Sequence, residues 1–242
     1  MFGDMKFGLF DRVRRDAGDR LARAVGDLLP QLARRLGRLA ITTTDLAVER
    51  RMDDAARRFE AEIGERCDRA LATFDELHYQ LLRGQDDAAD GTADDGSSSD
   101  GDRASRAPAL ELLGDDELAE QILAQDLAAS VRDTLESAYP TYLARLSLML
   151  GQDADEENTA LTARGFAVAM VAALRPFGTD PLLQDSLNES LRLLAAPMLA
   201  GLIEAVDARM IEAGLLVDGP RIVIERSAER PVEAADPPAA AP

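Results

Sequence analysis

Gly84–Ala109, GQDDAADGTADDGSSSDGDRASRAPA, divides an otherwise helix-patterned chain into two unlike halves. The tract is rich in Asp, Gly, Ser and Ala and holds no large apolar side chain. It cannot bury enough surface to offset the entropy of ordering it. The organisation it predicts is all-α. Residues 1–83 form a helical hairpin or coiled-coil region, 84–109 a disordered acidic linker, 110–218 a helical bundle, and 219–242 a mostly disordered tail.

Upstream of the tract, Phe10, Val13, Ala17, Leu21, Ala24, Leu28, Leu32, Leu36 and Leu39 recur every three or four residues, with Arg12, Arg15, Arg23, Arg34 and Arg38 on the flanks. That is one helical stripe, and Pro30 inside it predicts a kink or two abutting helices. Thr42-Thr43-Thr44-Asp45 supplies N-cap chemistry for a second helix running to Arg83. Within it Ile63, Cys67, Ala70, Phe74, Leu77 and Leu81 are spaced as a heptad seam, a candidate surface for self-association.

Downstream, Asp115 or Asp116 can cap a helix that Pro140 bends and Gly151 ends. A helix near Leu161–Leu174 follows, and Thr179-Asp180-Pro181 marks the start of the last helical region. Pro197 interrupts that region, and Gly214 closes it in a left-handed conformation. Arg221–Glu225 alternates like a short strand but has no partner strand.

Composition narrows the class. The chain has 242 residues, 46% hydrophobic, with no Trp and one Lys, Lys6. Ala, Leu and Arg dominate, and these are helix formers. A single cysteine, Cys67, rules out an intramolecular disulfide. The opening MFGDMKFGLFDRVRRD has no apolar core of a signal peptide, and no stretch approaches the ~20 apolar residues of a membrane span, so a soluble cytoplasmic chain is expected. The net charge of −18 argues against nucleic acid as a partner. Residues 1–40 run the other way, with nine basic and five acidic groups.

Candidate chemistry is sparse. Phosphate transfer needs a glycine-rich loop or a basic helix N-terminus, and neither is visible. The acidic run from Asp153 to Glu157 fails the calcium-loop pattern because Asn158 and Arg164 stand where Gly and Glu are required. His78 and Cys67 lie eleven residues apart on one helix, about three turns, and cannot share a metal. Arg34 and Arg38 are one helical turn apart and read as a helix flank. No catalytic residue, metal ligand or cofactor is expected, and the chain reads as a non-enzyme. Phe7, Phe10, Val13, Leu21, Leu28 and Leu32, set beside arginines, could instead meet a partner or an anionic bilayer surface.

Leu110–Leu127 (LELLGDDELAEQILAQDL), the segment Leu143–Gly151 and Val206–Leu216 (VDARMIEAGLL) resemble a bacterial family of unknown function. Its members are mostly longer, and some are labelled thymidine phosphorylase. The chain departs from the family pattern at Asn158–Thr162, NTALT, and at Val217, which replaces a closing proline. The resemblance implies bacterial origin and a helical bundle over about 110–218. Together the readings predict a helical interaction or adaptor protein that binds a second copy or another protein. The alternative is a peripheral membrane protein anchored by its first helix.

Overall fold

The computed structural model describes residues 2–90, 114–156 and 158–215, with side chains placed for 8–81 of the first segment. The segment 91–113, which holds most of the acidic tract, lies outside the described residues, as do Arg221–Glu225 and the tail. Among the described residues there are seven α-helices and no strand: α1 Phe2–Thr42, α2 Leu46–Ala61, α3 Ile63–Asp90, α4 Asp115–Leu135, α5 Ala138–Leu150, α6 Ala163–Ala172 and α7 Gln184–Glu212. A short 3-10 turn, Phe177–Thr179, joins α6 to α7. The all-α expectation holds.

Local signals act much as their chemistry dictates. The Asp45 carboxylate caps α2 by accepting from Ala47 N (2.8 Å) and Val48 N (3.3 Å). Gly151 ends α5 at φ 78°. Gly214, at φ 85°, closes α7: Leu215 N donates to Met210 O and Gly214 N to Ile211 O, the paired bonds of a Schellman ending.

Boundaries move where tertiary packing outweighs local preference. Pro30 does not divide α1; the helix is continuous, with Leu28, Leu29 and Leu32 all fully buried around it. A proline removes one backbone bond, and core burial on both sides holds the rest. Pro197 likewise sits inside an unbroken α7. Pro140 does not bend a long helix, because the chain breaks at Glu136 (φ 44°) and Pro140 falls in the first turn of α5, where its missing N–H costs nothing. The run from Asp45 to Arg83 breaks at Glu62 (φ −111°, ψ 22°), and α3 continues through Gly84 to Asp90. Gly114, not Asp115 or Asp116, is the N-cap of α4, and those aspartates fill its first turn. Asp180 caps a turn by accepting from Leu182 N, so α7 begins at Gln184, later than the Asp-Pro signal suggests.

The largest departure from expectation is in packing. One hydrophobic cluster takes in Phe10 to Ala40 of α1, Phe59 of α2, Phe74 of α3, and the buried faces of α4 to α7. The described residues on either side of the acidic tract thus share one core, where the sequence predicts a separate hairpin and bundle. Two helices cannot bury the stripes of α1 and α3 between themselves; α7 and α6 cover what remains exposed. Phe74 of α3 stacks on Phe166 of α6 with centroids 5.4 Å apart.

Candidate interaction groove

Helices α1 and α7 run antiparallel and in step. Asp16 lies 3.9 Å from Arg209 at one end, while Arg35 reaches Glu189 and Ser190 Oγ, each at 2.8 Å, at the other. The nineteen residue steps from Asp16 to Arg35 on α1 span about 28 Å. Outside the seam, three grooves follow one another. The first is lined by Leu9, Arg12, Val13, Asp16 and Arg209, the second by Arg20, Ala24, Met198, Gly201 and Ala205, and the third by Gln31, Arg34, Arg35, Arg38 and Leu194. Leu194, Met198, Gly201 and Ala205 recur every three or four residues, so one stripe of α7 lines the second and third grooves. A side chain at Gly201 would meet nothing within 4 Å, so the middle of the floor is open.

Charge is unevenly distributed along the grooves. In the first, acids offset bases: Arg209 pairs with Glu212 at 2.8 Å, and Asp16 accepts from Arg20 at 2.8 Å. The third, of about 450 Å³, contains three arginines and no carboxylate. Arg34 and Arg38 each spend Nε on a helix carbonyl one turn back, Pro30 O and Arg34 O, and neither forms an ion pair among the described residues. Both side chains are exposed, and their terminal nitrogens are forked donors suited to carboxylate or phosphate. Arg35 is held fast by its two partners. Two large apolar side chains next to these residues in sequence are exposed: Ile41, 85% exposed and one turn beyond Arg38, and Leu193, 55% exposed and adjacent to Leu194.

Of the residues read as a self-association seam or as a membrane or partner face, Val13 alone lines one of these grooves, the first. Phe10, Val13, Leu21, Leu28 and Leu32 are buried in the shared core, and the side chain of Phe7 lies outside the described residues. That stripe therefore faces the chain's own helices and is not free to lie on a bilayer. No helix of the described residues is long and apolar enough to cross a membrane. The heptad seam also turns inward: Ala70 and Phe74 are fully buried, and Ile63, Cys67, Leu77 and Leu81 pack against the same core. Cys67 Sγ donates to Ala22 O at 3.4 Å, and burial pushes its thiol pKa up. The His78 ring lies against Phe10, centroids 5.3 Å apart. Burial first, then Arg14, lowers its pKa, while Asp75 and Asp11 oppose the shift.

Two buried polar features escape a reading of spacing. Arg66, next to the seam, is fully buried. Its Nη1 donates to Ala173 O (2.7 Å) and Arg175 O (2.9 Å), its Nη2 to Glu62 (2.7 Å), and its guanidinium lies 4.9 Å above the Phe59 ring. Desolvation lowers its pKa, and Glu62 opposes that. The i,i+4 pairing of Glu62 with Arg66 is the one visible signal, and it resembles any surface helix pair. The second feature lies around the NTALT segment. Tyr142 donates to Leu161 O, Tyr139 accepts from Ala163 N, and Glu156 of the acidic loop pairs with Arg132. Burial raises the Tyr139 pKa to about 12. Asp155 and Asn158 close the loop by reciprocal bonds of 3.0 and 2.9 Å, so its polar groups serve the fold.

A family model described as Protein of unknown function (DUF1631) N-terminal domain matches residues 7–214. The match spans α1 to α7, well beyond the 110–218 region to which the sequence resemblance points. No curated protein and no solved structure matches the chain.

Proposed function

The chain belongs to the DUF1631 family through its N-terminal domain, and on that premise we propose that it works by binding another protein along the α1–α7 groove. The observation that carries this reading is the groove's basic end. In a chain of net charge −18, Arg34 and Arg38 line a groove without carboxylate partners among the described residues, and Ile41, one turn beyond Arg38, and Leu193, adjacent to Leu194 of the same lining, are exposed. Unpaired arginines beside exposed apolar side chains are a common make-up of protein interfaces, where Arg and large apolar groups carry most of the energy. Of the seam residues that favoured self-association, Ala70 and Phe74 are buried and Ile63, Cys67, Leu77 and Leu81 pack against the chain's own core, which favours a second protein over a second copy. The proposed role is non-enzymatic: Cys67 and His78, the residue types most apt for nucleophilic or base chemistry, are both taken up by packing.

The test is co-purification with the tagged full-length chain from its native host. A protein recovered in stoichiometric amount with the parent chain, and lost with Arg34→Glu plus Arg38→Glu at unchanged thermal stability, supports the reading. Recovery unaffected by the two substitutions overturns it.

A further inference from the structure

The groove also specifies the chemistry of its partner. We infer that it receives an amphipathic α-helix with an acidic flank, an inference that rests on the docking role proposed above. Three features of the surface favour this occupant. The first is shape: successive grooves follow the seam of two antiparallel helices, α1 and α7, and the α7 residues Leu194, Met198, Gly201 and Ala205 line two of them at helical spacing. Ridges of a third helix fit such a channel, and the open space above Gly201 admits close approach. The second is charge. Arg34 and Arg38 sit one turn apart, exposed and without an ion pair among the described residues, which matches carboxylates one turn apart on a facing helix. The third is exposed apolar surface: Ile41, one turn beyond Arg38, and Leu193, adjacent to Leu194 of the groove lining, offer the apolar face of such a helix something to bury.

The same features disfavour a polyanion such as nucleic acid. Asp16, Asp27 and Glu212 line the other grooves, so the positive charge does not extend along the channel as a phosphate backbone requires. The basic end is short, with its three arginines within little more than one turn of α1.

The probe is a fluorescein-labelled synthetic helix of about 20 residues, roughly 30 Å long, with Leu at helical spacing and Glu on both flanks. Fluorescence anisotropy with the full-length chain reads its affinity. Three controls accompany it: the peptide with Lys for Glu, the same composition in scrambled order, and a single-stranded oligonucleotide of similar length.

The expected result is saturable binding of the acidic helix alone, weakened at least ~10-fold by Arg34→Glu plus Arg38→Glu and weakened by added salt. Equal binding of the scrambled or Lys peptide, or unchanged affinity in the double variant, overturns the inference. So does preferential binding of the oligonucleotide. A dimer in sedimentation velocity that the double substitution dissociates would make a second copy the occupant. Binding that emerges only after the seven aspartates between 86 and 102 are changed to Asn would make this chain's own acidic tract the occupant. If the acidic helix fails to bind while co-purification still depends on Arg34 and Arg38, the partner chemistry is wrong and the docking role stands. If both fail, the docking role falls too.

Discussion

Replacing Arg66 with Met removes a fully buried charge that joins α3 to the α6–α7 connection. The guanidinium holds Ala173 O, Arg175 O and the Glu62 carboxylate at 2.7 to 2.9 Å and stacks over Phe59. Methionine matches the length and apolar bulk of the stem but donates nothing. Ala173 lies in the core, so its carbonyl loses its side-chain donor where water does not reach, a cost of about 1–3 kcal/mol. Arg175 O keeps a second donor, Arg69 Nη1 at 3.1 Å, so its loss is smaller. Glu62 keeps Arg58 at 2.9 Å and does not become an isolated carboxylate. The stacking over Phe59 adds roughly 0.5–2 kcal/mol, since the site is desolvated. Against these stand the methionine's own burial and the removed cost of desolvating a charge, which leaves a net loss of about 2 kcal/mol. At this chain length that lowers Tm by roughly 4–8 °C. Urea unfolding of the two proteins measures the difference in midpoint at constant slope. Arg66→Lys, which keeps the charge but not the planar fork, should fall between parent and Met. If Arg66→Met is as stable as the parent, the clamp contributes nothing and the reasoning is refuted.

Three further outcomes are expected. Gly165→Ala places a methyl 2.1 Å from Ala160 O, so a helix-favouring substitution should instead destabilise by about 1–3 kcal/mol or more, read as a fall in the urea midpoint. His78 takes up its proton less readily folded than unfolded, so stability is highest above its ordinary value near 6.5 and falls as pH drops through that value. The parent should therefore lose more of its urea midpoint between pH 7.5 and 5.5 than His78→Phe, and parallel curves would count against the burial argument. Cys67 should react with a maleimide at neutral pH much more slowly in the folded chain than in urea, because burial disfavours its thiolate; equal rates would contradict its place in the seam.

The sequence disclosed elements better than their assembly. Asp45, Gly151 and Gly214 announce helix ends because capping and left-handed backbone are decided within a few residues. Pro30 and Pro197 mislead, because a proline's local cost is outweighed by leucines packed on both sides of it. The stripes of α1 and α3 were legible as apolar faces, but periodicity does not say what covers a face. Self-association and membrane contact were read from Phe10–Leu32 and Ile63–Leu81, whereas α6 and α7 of the same chain cover both. The groove was harder still to see. Arg34 and Arg38 were visible as a one-turn pair, yet their significance depends on Leu194 and Leu193, about 155 residues away, and on the lack of a carboxylate partner among the described residues. Arg66 was hidden for the converse reason, since a buried clamp and a surface ion pair share one sequence pattern.

The claim that α1 and α7 form the docking face is tested most directly by a photo-crosslinker placed at single positions of the full-length chain in its native host. Gln31, Leu194, Met198 and Ala205 line the groove, while Arg57 of α2 and Ile122 of α4 are exposed away from it. The account predicts one protein adduct of common mass from the four groove positions and none from the other two. Adducts at Arg57 or Ile122 without any in the groove would contradict it.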